Sequence, residues 1–75
     1  MRVMAPCDAE ELERMLRWTI TQDGPVVIRY ARAGDPVTEN RDCAFQPGKW
    51  HCLRAGGDLS LLCVGSMVRM GLETA

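Results

Sequence analysis

With 75 residues, the chain has room for at most one small domain, and a domain of that size is marginal without staples. Apolar residues make up 47% and charged residues 25%, a globular composition that excludes a disordered tail. Nine cations against ten anions leave a net charge of −1, so no basic footprint marks nucleic acid or an anionic membrane as a partner.

The first element is a short apolar stretch, "RVMA" at 2–5, read as a strand that Pro6 stops. Asp8 then opens a helix: its carboxylate can accept from the free N–H groups of the first turn, and Glu11 stands at capping-box spacing. Leu12, Met15, Leu16, Thr19 and Ile20 fall at i, i+3, i+4, i+7 and i+8, one face of a helix. Glu10 with Arg14 and Glu13 with Arg17 add i, i+4 pairs in the favourable order. Gly24 and Pro25 end the run, so a helix is expected over 9–22. Val26, Val27 and Ile28 after the turn predict a strand over 25–30. Two strands around one helix make a βαβ unit, which requires parallel pairing.

A long irregular stretch rich in Pro and Gly follows, read as a linker. Residues 50–54 and 59–64 flank a Gly-Gly turn at 55–58 and predict a β-hairpin, its second strand "LSLLCV" central and buried. Gly65-Ser66 precedes the start of a helix over 67–74, with Ser66 as N-cap. The expected fold is therefore α/β but incomplete: a βα-β unit, a linker, a β-hairpin and the start of a helix. Each half leaves apolar edges uncovered.

No apolar run approaches the ~20 residues that span a bilayer. In "MRVMAPCDAEE" acids stand where a secretory leader has its apolar stretch, so the expected compartment is the cytosol. Cys7, Cys43, Cys52 and Cys63 include no C-x-x-C pair, and Cys43, His51 and Cys52 match no zinc spacing. Cys63 reads as a small buried hydrophobe. His51, the sole histidine, has no nucleophile or carboxylate placed beside it by a motif, so it reads as a packing or surface residue.

The chemistry concentrates at the end of the second strand. In open parallel sheets, ligands bind beyond the carboxyl ends of the strands, and Arg32 lies there with a planar fork suited to phosphate. A solvated loop arginine is the competing reading. Arg29, within the strand, is expected to form an internal ion pair, with ligand contact as the second reading, and Tyr30 to pack the strand end with its hydroxyl wet.

Three blocks, "VMAPCDAEELERML", "DGPVVIRYARAG" and "GKWHCLRAGGDLSLLCVGSMV", resemble in order and spacing segments of the 1-deoxy-D-xylulose-5-phosphate synthases, a transketolase-like family of thiamine diphosphate enzymes. The likeness covers nearly the whole chain. It implies that residues 1–34 are the end of a pyrimidine-binding domain, 35–47 a linker and 48–75 the start of a transketolase C-terminal-like domain. It implies an enzyme that condenses pyruvate with glyceraldehyde 3-phosphate, losing carbon dioxide, for isoprenoid precursors and thiamine. The family's "RYPRG" aligns its second arginine, the acceptor-phosphate ligand, with Arg32. Here Ala31 replaces the proline and Ala33 separates Arg32 from Gly34, which loosens and lengthens the turn. The family's cofactor and magnesium ligands, activating glutamate and catalytic histidines match no residue of this chain; Glu10, Glu11, Glu13, Glu39, Glu73 and His51 are not among them. The resemblance thus implies thiamine diphosphate and magnesium for the complete enzyme and none for this chain alone. Its partners would be the remainder of the synthase, a homologous subunit or a second copy.

Overall fold

The computed structural model describes residues 1–32 and 45–75. β1 (Arg2–Met4) and β2 (Val26–Ile28) form a two-stranded parallel sheet, with α1 (Ala9–Thr19) between them in sequence. Arg2 stands opposite Val26, Val3 opposite Val27 and Met4 opposite Ile28. The Arg2 amide donates to the Pro25 carbonyl at 3.2 Å and the Arg29 amide to the Met4 carbonyl at 2.8 Å, so the ladder closes one residue beyond β2. This is the βαβ unit expected, with β1 one residue and β2 three residues shorter than the sequence suggests.

α1 begins where its capping residues dictate. Asp8, buried and in extended conformation, accepts from the Glu11 amide at 2.8 Å. The return arm of the box reaches one residue further back, Glu11 Oε2 accepting from the Cys7 amide at 2.7 Å. Arg14 meets Glu10 at 2.5 Å and Arg17 meets Glu13 at 2.7 Å, the two expected pairs. The helix stops at Thr19, three residues short of expectation. The Thr19 and Thr21 hydroxyls donate to the Leu16 and Trp18 carbonyls, both at 2.7 Å, and the backbone tightens into i, i+3 turns through Gln22. Gly24, at φ +92°, then turns the chain into β2.

Replacing Asp8 by alanine should cost about 1 kcal/mol of stability and by asparagine almost nothing, because asparagine caps equally well. Urea denaturation of the two variants checks this; equal losses would mean that the Asp8 charge, not its cap, matters.

The hairpin is not formed. Residues 50–64 contain no strand, and the only sheet among the described residues is β1–β2. A buried central strand needs neighbours on both sides and a layer on each face. The described residues bring neither to 59–64, and an isolated hairpin is marginal in water. α2 (Met67–Thr74) forms as expected, but Ser66 makes no side-chain cap bond. Instead the Met67 and Val68 amides donate to the Val64 and Gly65 carbonyls, at 3.3 and 3.2 Å. Gly65 has φ +61° and lies against Ala5 and Pro6, where a Cβ would sit 3.5 Å from that of Ala5. Gly71 packs so closely on the Cys63 sulfur that a side chain there would displace it.

Burial is thin. Only Pro6, Cys7, Met15 and Val68 are buried non-polar residues among those described. The expected stripe of α1 is half covered: Met15 is 6% exposed, whereas Ile20 is 85% exposed. The accessible surface of 6089 Å² exceeds the ~4600 Å² of a compact monomer of this mass. Apolar edges are thus left uncovered. No helix among the described residues is long and apolar enough to cross a membrane.

Candidate functional site

In a parallel pair both strands point their carboxyl ends the same way, so the chain leaving β1 and the chain leaving β2 share one edge. The first edge segment runs through Pro6, Cys7 and Asp8 into the start of α1. The second presents Arg29, Tyr30 and Arg32, all exposed. Arg32 lies four residues past Ile28 in a turn, and no carboxylate among the described residues pairs with it. Its guanidinium has five donors and, among the described residues, no acidic partner to satisfy them. Arg29 corrects an expectation: its side chain is exposed and forms no ion pair among the described residues. A cation at the end of a three-residue strand stays in water rather than in a sheet interior, so it needs no internal partner.

A cavity of 720 Å³ opens between the two halves of the chain. Its walls come from β1, from the inner face of α1 through Glu11, Met15 and Trp18, and from 45–51 and 63–68. Trp18 organises one end. The Arg2 guanidinium lies 5.1 Å from its ring centroid, and Phe45 meets it edge-on at 5.7 Å and 76°. Arg2 also donates to Gln22 at 2.8 Å, tying β1 to the turn after α1. His51 is half-buried in the wall, consistent with a packing role, and Cys7 and Cys63 line the same space.

Trp18 and Phe45 escape the sequence reading. Trp18 stands at i+3 from Met15 and i+7 from Glu11, so its helical spacing already places it on the inner face. Phe45 carries no such signal, since it falls within the stretch read as an irregular linker. The carboxylates of α1 are engaged: Glu10 and Glu13 hold arginines, and Glu11 holds the Cys7 amide. The described residues contain no group of three His, Cys, Asp or Glu able to hold a metal; Cys43 and Glu39 lie outside them.

The parallel βαβ pair is a mixed α/β arrangement, and Arg32 follows the carboxyl end of its second strand. The particular family comes from comparison with known proteins. The chain is 44% identical over 78 residues to the 1-deoxy-D-xylulose-5-phosphate synthase of Synechococcus elongatus, an alignment that takes in 100% of this chain and 12% of that protein. Against the 1-deoxy-D-xylulose-5-phosphate synthase 1 of Geobacter metallireducens it is 43% identical over 77 residues, again 100% and 12%. The Clostridium tetani 1-deoxy-D-xylulose-5-phosphate synthase is 40% identical over 68 residues, 91% of this chain and 11% of that protein. The chain is therefore homologous, over nearly its whole length, to one segment of the 1-deoxy-D-xylulose-5-phosphate synthases, and spans about an eighth of the relatives it matches. No family model matches it, and no solved structure does.

Proposed function

We propose that this chain is the domain-junction segment of a 1-deoxy-D-xylulose-5-phosphate synthase-like enzyme, inactive alone, in which Arg32 holds the phosphate of glyceraldehyde 3-phosphate. Residues 1–34 would close a pyrimidine-binding domain, 35–47 link it, and 48–75 open the C-terminal domain. The observation that carries the reading is Arg32: exposed, without an acidic partner among the described residues, and past the carboxyl end of a parallel strand. An arginine so placed presents two N–H groups in one plane to two phosphate oxygens, and orients the acceptor without taking part in bond making.

The residues present do not fit the family's cofactor. Magnesium wants several oxygen ligands, and among the described residues the only carboxylate lining the cavity, Glu11, accepts from the Cys7 amide. With no group of three candidate metal ligands among the described residues, no step through thiamine diphosphate is drawn for this chain.

The test is reassembly. Co-expressed with the flanking portions of a synthase, the chain should restore decarboxylating condensation of pyruvate with glyceraldehyde 3-phosphate; the flanking portions alone should show none. No activity in the assembled preparation, despite a complex on gel filtration, would overturn the proposal. A second reading, a non-catalytic module that pairs with a homologue, is favoured by the uncovered surface. It predicts binding to an intact synthase with no change in what that synthase needs to work.

A further inference from the structure

We propose that the cavity between the two halves of the chain binds a small aromatic carboxylate, and that Arg2 holds its acid group. At 720 Å³ the cavity lies within the size range of small-molecule pockets. Three aromatic side chains stand in its wall. Trp18 and Phe45 are half-buried and meet edge-on, and Trp50 is 67% exposed. Such a wall offers ring faces and edges to another flat ring, and Trp50 has the most surface left to cover.

The acid group is called for by the charges around those rings. The Arg2 guanidinium is fixed at two points, 5.1 Å from the Trp18 ring centroid and by donation from Nη1 to Gln22 at 2.8 Å. The fork is therefore in place before a ligand arrives, which lowers the cost of ordering it. Gln22 takes one of its five donors, and Arg2 forms no ion pair among the described residues. Lys49 brings a second cation to the wall. Glu11, the only carboxylate lining the cavity among the described residues, already accepts from the Cys7 amide. Two cations against one anion leave a single positive charge, which a monocarboxylate balances. A carboxylate is planar and accepts two parallel N–H bonds from a guanidinium. The ring that the acid carries is then left to the aromatic wall.

Arg32 does not line the cavity, so this site stands apart from the phosphate reading. Calorimetric titration of the purified chain with 2-naphthoate should show saturable binding at one site per chain. The neutral analogue 2-naphthylmethanol should bind at least about tenfold more weakly, because it lacks the charge that the guanidinium holds. Arg2→Met should erase the preference for the acid. Arg69→Gln removes an equal charge at an exposed position outside the cavity and should keep that preference. Trp50→Ala should weaken acid and alcohol alike, by about two- to tenfold. No saturation at millimolar acid, an alcohol bound as tightly as the acid, an undiminished preference in Arg2→Met or a lost one in Arg69→Gln would each overturn the proposal. If circular dichroism shows Arg2→Met unfolded, the acid and alcohol titrations of the parent chain decide. A chain that restores synthase activity but binds no naphthoate would sink this inference alone; one that binds it and restores none would sink only the functional reading.

Discussion

Arg32→Ala in the reassembled synthase is expected to raise KM for glyceraldehyde 3-phosphate about 100-fold. A hydrogen bond to a charged group contributes ~1.5–3 kcal/mol, and a bidentate guanidinium makes two that are not additive. A combined loss of about 3 kcal/mol corresponds to the hundredfold change. Arg32→Lys keeps the charge and loses the fork, so about tenfold is expected. With unphosphorylated glyceraldehyde as acceptor neither variant should differ from the parent, since there is no phosphate to hold. A structural role would move the melting temperature instead, and an exposed arginine with no carboxylate partner among the described residues gives no reason for that. Unchanged KM for the phosphorylated acceptor would remove Arg32 from the site.

Met15→Ala is expected to cost about 2 kcal/mol. Truncating a buried methionine costs 2–5 kcal/mol, and the lower end applies because Met15 already borders the open cavity. In a chain of this length that is roughly 8–16 °C in melting temperature. Ile20→Ala, on the same stripe but almost wholly exposed, should stay within ~0.5 kcal/mol. Helical periodicity treats Met15 and Ile20 as equals; only the packing separates them. Equal losses would mean that the stripe is covered in solution by something beyond one copy of the described chain.

Those two residues show how much was legible in advance. α1 was readable because its signals are local: Asp8 and Glu11 bond within one turn, and both arginine pairs span one turn. β1 and β2 were readable as a parallel pair because a helix lies between two short apolar runs. α2 was readable over its full extent, although its cap works through the Val64 and Gly65 carbonyls rather than the Ser66 hydroxyl. The hairpin was misread because "LSLLCV" says only that the segment wants burial on both faces, not that the chain can provide it. Arg29 failed likewise, since strand membership does not decide whether water reaches the side chain. Among the site residues, Arg32 was legible from its position after a strand and from the family resemblance. Trp18 could have been found by spacing. Its partners Arg2 and Phe45, 16 and 27 positions away, could not.

By itself the sequence determined what depends on near neighbours: where α1 begins, that two strands run parallel, that Arg32 follows the second, and which family the three blocks resemble. The tertiary structure alone decided which apolar residues are covered. It buried Met15 and left Ile20 in water, joined Trp18 to Arg2 and Phe45 around a cavity, and left 59–63 without a backbone hydrogen bond among the described residues. The physical reason is that caps and turns are satisfied within a few residues. Burial depends on how much surface the rest of the chain can bring, and the described residues bring too little to cover their own apolar faces.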